Sequence, residues 1–520
     1  MRLGCHRRRP AGLGVARPHP PGGEEEAAES ARSPARRRQG TASLRAAMRS
    51  GMSGMRSTAQ APGVTAGLRA RIFLLAAMTR QPYSHLEVIP VRIESHGIEP
   101  IPAAERHGRS SSLFTLWFAA NLGIPPWFLG VLLYSFGLGL WASLATVVVA
   151  NLIGAALVAA ASSMGPGSGL PQLALSRSGF GRIGVYVPAA LNWLSCLGWF
   201  AVNSVLGGEL LASLIGVPSA AGIVLIGVVQ IAIAVFGHDV VHFVERWVAV
   251  LLALTFAYFT WRSVVLGAGA PALQQGAFHW APFALGVAMI ASYVFSWAPY
   301  ASDYSRYLPA SAGRRGAFGW TFLGNLLACA WVEVLGVLLA AHFRVYDAVP
   351  LLRAASGGLA VFVFAAGIFG TLTADLLNIY TGATSLLALG IRAPRALAAV
   401  IVGVLGTALA LLGMRGFSGD YESFLLLLSY WIAPWLGVLF MQRAAARAPR
   451  ALEAGFWAFL IGLVLSVPFM SQSLFTGPAA RAMGGADVAY YVGGIAAAVI
   501  YLLLRPRSPA VREPAGLGPA

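Results

Sequence analysis

The chain has 520 residues, 57% of them hydrophobic and 11% charged, with a mean hydropathy of +0.69. Soluble globular domains carry roughly 25% charged residues, which excludes a soluble enzyme or binding module. The net charge of +17 does not mark a nucleic-acid binder, because fourteen arginines against four glutamates in residues 1–77 supply +10 of it.

In chain order, residues 1–77 are rich in Arg, Ala, Gly, Pro and Ser and show no apolar periodicity from which a core could be built. Three readings compete for them: a disordered cytoplasmic tail, an organellar targeting segment, or upstream sequence ahead of a true start at Met78. The compact polar run M-T-R-Q-P-Y-S-H-L-E-V that begins at Met78 favours the last. Residues 78–112 then form a cytoplasmic lead, 113–504 a membrane domain and 505–520 a cytoplasmic tail.

From Leu113 to Leu504 apolar blocks of about twenty residues follow one another, the length that crosses a bilayer core about 30 Å thick as a helix. The predicted spans are 113–136, 139–162, 185–215, 219–237, 242–265, 283–301, 317–343, 357–389, 394–413, 422–441, 455–476 and 486–504. The fold class expected is therefore an all-α polytopic membrane protein of about twelve transmembrane helices. With the N-terminus inside, eleven loop arginines fall on the inner side and five on the outer. By the positive-inside rule both termini are then cytoplasmic. Of the three cysteines, Cys5, Cys196 and Cys329, the last two lie inside predicted spans, and they form no disulfide or metal-ligand pattern.

Two spans are poorly written as continuous helices. The first carries Asn121, Gly123, Pro125 and Pro126 at its middle, and the sixth has Pro299 close behind Trp297. A proline removes a backbone donor and clashes with the preceding turn, and in lipid the freed groups must be satisfied by protein or by a water-filled cavity. Interrupted spans at matched positions point to a five-plus-five inverted repeat with its site at the breaks and the last two helices appended. A pair of ordinary proline kinks is the alternative.

Four signatures stand in order along the chain: H-G-I-E-P-I-P-A-A-E-R-H-G from His96, G-P-G-S-G-L-P-Q-L-A-L-S-R-S-G-F-G-R-I-G from Gly165, C-L-G-W-F-A-V-N from Cys196, and S-D-Y-S-R-Y-L-P from Ser302. Together they resemble the nucleobase–cation symporter family, its purine–cytosine permease branch above all, from about Gly97 to the last span. The resemblance implies the LeuT-like five-plus-five fold with discontinuous spans 1 and 6.

A nucleobase is flat, neutral and edged with donors and acceptors, so holding it calls for aromatic faces and amides at the rim. Stacking on an aromatic ring contributes roughly 1–3 kcal/mol per base, and an amide offers a donor and an acceptor in one plane. The resemblance puts Trp199 and Trp297 at the two stacking positions and Asn203, one helical turn after Trp199, at the amide position. Asn378 on the eighth span matches a second amide. Either Asn could instead be interhelical glue, and Asn121 could line the site or cap the broken helix.

In sodium-coupled members of the family, adjacent hydroxyls on the eighth span join carbonyls of the first around the cation. Here Leu372 replaces the first hydroxyl, leaving Thr373 and the Ala120 carbonyl as candidate donors. Asp375 lies two residues on, at a depth where a carboxylate is costly and usually functional. A proton is therefore the expected coupling ion, through Asp375, with sodium the alternative. Glu209 and Glu333 are the other intramembrane acids, either structural or part of a proton path. No H-E-x-x-H or G-x-S-x-G motif is present, so no enzyme and no cofactor is expected. The reading is a plasma-membrane secondary transporter importing cytosine or purines by alternating access, partnered by its substrate and the lipid bilayer and not by nucleic acid. An allantoin, hydantoin or vitamin-precursor substrate is the alternative, and oligomeric state is left open.

Overall fold

A computed structural model describes residues 98–236, 238–268, 278–391, 395–442 and 449–505. The expectations for residues 1–77, for the start of the 78–112 lead and for the tail beyond Arg505 lie outside the described residues.

The first predicted span is two helices, α1 (Ser112–Ala120) and α2 (Ile124–Ser135), and the second is α3 (Leu140–Ser162). Then come α4 (Tyr186–Ile215), α5 (Ser219–Phe236) and α6 (His238–Val265). The sixth span is α7 (Trp280–Phe295) with α8 (Ala298–Ser305), and the seventh to tenth are α9 (Arg314–Phe343), α10 (Ala360–Ala388), α11 (Arg395–Gly413) and α12 (Phe417–Met441). The chain closes with α13 (Ala454–Ser466) and α14 (Ala489–Leu504). Among the described residues seven helices are long and apolar enough to cross a bilayer, and the bent pair α1/α2 makes an eighth. Four shorter apolar helices occupy the predicted fourth, ninth, eleventh and twelfth positions.

Two expectations need adjustment. The eleventh span, predicted over 455–476, ends as a helix at Ser466, passes through a 3-10 turn at Val467–Phe469 and finishes in a hairpin. Pro468 cannot continue the helix, and the following strands pair antiparallel, Ser471 with Thr476 and Gln472 with Phe475. The sixth span is interrupted more gently than the first. Ser296 and Trp297 keep near-helical torsions between α7 and α8, whereas α1 and α2 meet at 58°. Pro299 falls in the first turn of α8, where its missing N–H costs little. The first span instead has Gly123 extended at φ −164° and ψ 167° ahead of two prolines.

The helices sort into two groups. The first, second, sixth and seventh spans pack on one another, and the third, fourth, eighth and ninth do likewise. The pattern is preserved when five is added to each span number. The first-with-seventh contact corresponds to sixth-with-second, third-with-ninth to eighth-with-fourth, and third-with-fourth to eighth-with-ninth. A five-plus-five repeat produces this correspondence.

Three of the four sequence signatures meet at one end of the first group. The backbone N–H of Gln172 donates to Asp303 Oδ1 at 2.8 Å, while its side-chain Oε1 accepts from Ser302 N at 2.9 Å. Arg106 donates to the Ile101 carbonyl at 2.9 Å and the Pro166 carbonyl at 3.0 Å. His107 N reaches the Tyr307 carbonyl at 2.7 Å.

Where α2 crosses α9 the backbones touch. A Cβ at Gly130 would collide with the Glu333 carbonyl, and one at Gly336 with the Trp127 carbonyl. Small residues permit such approaches between membrane helices. Gly130→Ala is therefore expected to lower the yield of monodisperse protein several-fold, since overpacking costs about 1–3 kcal/mol. Gly319→Ala, where an added Cβ meets nothing within 4 Å, should leave the yield unchanged. Equal yields of the two variants by size-exclusion chromatography would contradict the crossing.

Candidate functional site

The break in the first span is written locally. Asn121 Nδ2 turns back to the Trp117 carbonyl at 2.8 Å and satisfies an acceptor at the end of α1. Pro125 and Pro126 then sit in the first turn of α2, where an N–H would have no helical partner in any case. Between this break, the Ser296–Trp297 interruption, α4, α6 and α10 lies a cavity of about 790 Å3, within the range of small-molecule sites.

Six of the eight candidate residues line it: Trp199, Asn203, Trp297, Asn378, Thr373 and Ala120. Asn121 and Asp375 lie behind the lining, each fully buried. Asn121 accepts from Trp297 Nε1 at 3.0 Å and donates to Asn325 Oδ1 at 3.0 Å, so it fixes the indole of Trp297 to the seventh span. The ring of Trp297 also meets Trp117 edge-on at 5.8 Å and Tyr300 at 5.4 Å.

Trp199 is held by a ring of edge-to-face contacts, to Phe424 at 5.3 Å, Tyr293 at 5.6 Å and Tyr421 at 6.2 Å. Offset and perpendicular aromatic pairs of this kind are favourable and directional. They hold the indole in place at the wall of the cavity.

Asp375 accepts from three amides. Asn203 Nδ2 and Asn378 Nδ2 donate to Oδ1 at 2.8 and 3.0 Å, and Gln230 Nε2 donates to Oδ2 at 2.5 Å. Gln230 is held in turn by Ser204, whose hydroxyl donates to Oε1 at 2.9 Å. One hydrogen of each site amide is thus turned toward Asp375, which points the two carbonyl oxygens away from it. Asn378 Oδ1 accepts from the Tyr300 hydroxyl at 3.2 Å, whereas Asn203 Oδ1 is buried without a hydrogen bond. A buried acceptor left unpaired costs roughly 1–3 kcal/mol.

Thr373 spends its hydroxyl proton on the Phe369 and Gly370 carbonyls, at 3.1 and 3.0 Å. The hydroxyl position one residue earlier is Leu372, buried and without an oxygen to offer.

Sequence reasoning missed Tyr293, Tyr300 and Gln230. The two tyrosines stand four residues before and three after Trp297, one turn to either side on the same face, a spacing that could have found them. Gln230 is an uncharged polar residue inside an apolar span, a weaker signal on its own.

The cavity continues from the breaks along α1 (Ser112, Thr115, Ala119) and past Val248 and Leu252 of α6. Trp199 and Tyr293 line it as well.

Comparison with known proteins places the chain. Residues 100–450 match the family described as permease for cytosine/purines, uracil, thiamine, allantoin. The chain is 30% identical over 453 residues to the putative purine-cytosine permease YxlA of Bacillus subtilis, covering 80% of this chain and 97% of that protein. It is also 30% identical over 463 residues to the purine-cytosine permease fcyB of Emericella nidulans, covering 80% of this chain and 89% of the relative. Among solved structures, the inward-facing conformation of Mhp1 superposes with a TM-score of 0.64 at 16% identity, over 79% of this chain and 94% of that one, which establishes a shared fold. The chain is a multi-pass membrane transporter, and it belongs to the permease family for cytosine/purines, uracil, thiamine and allantoin.

Proposed function

We propose that the protein imports a nucleobase, cytosine or a purine, across the plasma membrane together with a proton, by alternating access around the cavity at the two breaks. One observation carries the substrate reading. Asn203 Oδ1, a buried acceptor without a partner, belongs to a residue lining a cavity that two tryptophans also line. A base can stack on an indole face, and a turn of the Asn203 side chain toward the cavity brings that oxygen to a ring N–H or exocyclic amine. The names of the two permease relatives agree with this chemistry.

Orientation follows from the loop arginines. With both termini cytoplasmic, the cavity leads from the midplane along α1 and the first half of α6 toward the cytoplasm. The conformation is then inward-open, and the aromatics around Trp199 form the closed outer side.

The proton reading rests on Asp375. Three amide donors suit an anion; a protonated Asp375 brings a donor of its own, so one amide must turn its carbonyl to it. Whichever amide turns presents its NH2 elsewhere, which ties the charge on Asp375 to the hydrogen-bonding edge that the cavity shows. Sodium fits less well, because Thr373 offers the one side-chain oxygen where adjacent hydroxyls would be needed. Sodium takes oxygen ligands, and the Leu372 side chain has none.

Two measurements test these points. In whole-cell uptake with a competing panel of unlabelled bases, Asn203→Ala should weaken apparent affinity about five- to a hundredfold, the cost of an unpaired buried group, and Asn203→Gln should reorder the panel. Unaltered affinity and ranking at reduced abundance would make Asn203 purely structural. For the proton, uptake should fall as external pH rises and should be indifferent to replacement of sodium by choline. Asp375→Asn should retain exchange of bound for free base and lose accumulation against a gradient. Arrest by choline together with accumulation by Asp375→Asn would assign the coupling to sodium.

A further inference from the structure

A second carboxyl is buried as completely as Asp375, and its surroundings differ in kind. Glu333 lies in α9, fully buried, and faces Asn151 of α3, also fully buried. Asn151 Nδ2 has two hydrogens. One goes to the Val147 carbonyl at 2.8 Å and the other to Glu333 Oε2 at 2.5 Å. Turning the amide over would set its oxygen against two acceptors, so this orientation is fixed by its neighbours. Two acceptors are then left over, Glu333 Oε1 and Asn151 Oδ1, and both are buried without a partner.

The contrast with Asp375 is one of donor count. Three amide hydrogens serve the two oxygens of Asp375, whereas a single hydrogen serves the two of Glu333. The titratable groups facing Glu333 are Cys329 on its own helix, Tyr293 of α7 and Tyr421 of α12. α3 contributes Asn151, and α2 contributes the backbone at Gly130. None of these carries a positive charge. A lone carboxylate in an apolar interior with one donor is among the most costly arrangements a protein can hold.

We propose that Glu333 and Asn151 form a second proton-binding site, between the second and seventh spans, in which Glu333 carries a proton in this conformation. The added hydrogen supplies the donor that the arrangement lacks. An acid facing a primary amide can exchange two hydrogen bonds with it, N–H to one carboxyl oxygen and O–H to the amide oxygen. The site is independent of Asp375, which lies among the third, fourth and eighth spans, and it does not depend on which substrate is carried. It also sits at the tightest crossing of the first group of helices, opposite Gly130, beside Tyr421, whose hydroxyl donates to the Pro125 carbonyl at the break of the first span at 3.4 Å. A proton held here moves with the helices that carry the breaks.

Infrared spectroscopy on the purified full chain in lipid nanodiscs tests this directly, because a protonated carboxyl has a C=O stretch that a carboxylate lacks. With glutamate side-chain carboxyls labelled with 13C, a protonated-acid band that shifts with the label is expected at neutral pH. Glu333→Gln should remove it and Asp375→Asn should leave it. Asn151→Leu, which keeps Glu333 and takes away the amide, should move the band to higher frequency as the acid loses its acceptor. This variant decides the matter should Glu333→Gln fail to fold. Absence of a label-sensitive acid band at neutral pH, or a band indifferent to both Glu333→Gln and Asn151→Leu, would show Glu333 to be ionised and overturn the site. The outcome is separable from the uptake experiments, which read substrate and Asp375 and not this band.

Discussion

The constraint on which the rest depends is that a polar group inside a bilayer must find its partner within the protein. At Asp375 the requirement is met by three amides. Its two oxygens gather amides from the third, fourth and eighth spans, and two of those three amides belong to residues that line the cavity. The carboxylate thus joins three helices and fixes which way the amides of Asn203 and Asn378 point. The bonds that pack these three helices therefore also orient two of the residues lining the cavity.

The same constraint explains why the helix breaks lie where they do. Interrupting a membrane helix frees backbone groups, and Asn121 answers by bonding the Trp117 carbonyl with its amide and Trp297 with its oxygen. The broken first span and the interrupted sixth are coupled through one side chain. That the breaks face a cavity rather than lipid is what makes them tolerable. The remainder of the first group is packed backbone to backbone through Gly130 and Gly336, which suits helices that move as a unit.

Much of this was legible in the sequence. The apolar blocks gave the helices, and Pro125, Pro126 and Gly123 marked the first break, because hydrophobic length and proline chemistry are local properties. Trp199, Asn203, Trp297 and Asn378 were placed by resemblance and do line one cavity. What could not be read was which residues stand behind the lining. Asn121 and Asp375 were expected at the site and stand behind its lining, each bonded to residues that line it, a distinction that depends on side-chain direction across helices far apart in sequence. Gln230 and Asn151 were invisible for the same reason, since a single amide in an apolar run does not reveal the carboxyl it will face. The short eleventh span was misjudged because Val467, Phe469 and Met470 are apolar, and hydropathy outweighed Pro468.

The central claim is that the cavity between the breaks binds a flat base against indole faces. The most direct measurement is the dissociation constant of cytosine and of adenine for the purified protein by calorimetry, compared among wild type, Trp199→Ala and Trp297→Ala. Loss of one stacking face should weaken binding about five- to a hundredfold, from roughly 1–3 kcal/mol per stacked base, in variants that still elute as folded protein. Unchanged affinity in both folded variants would contradict the account.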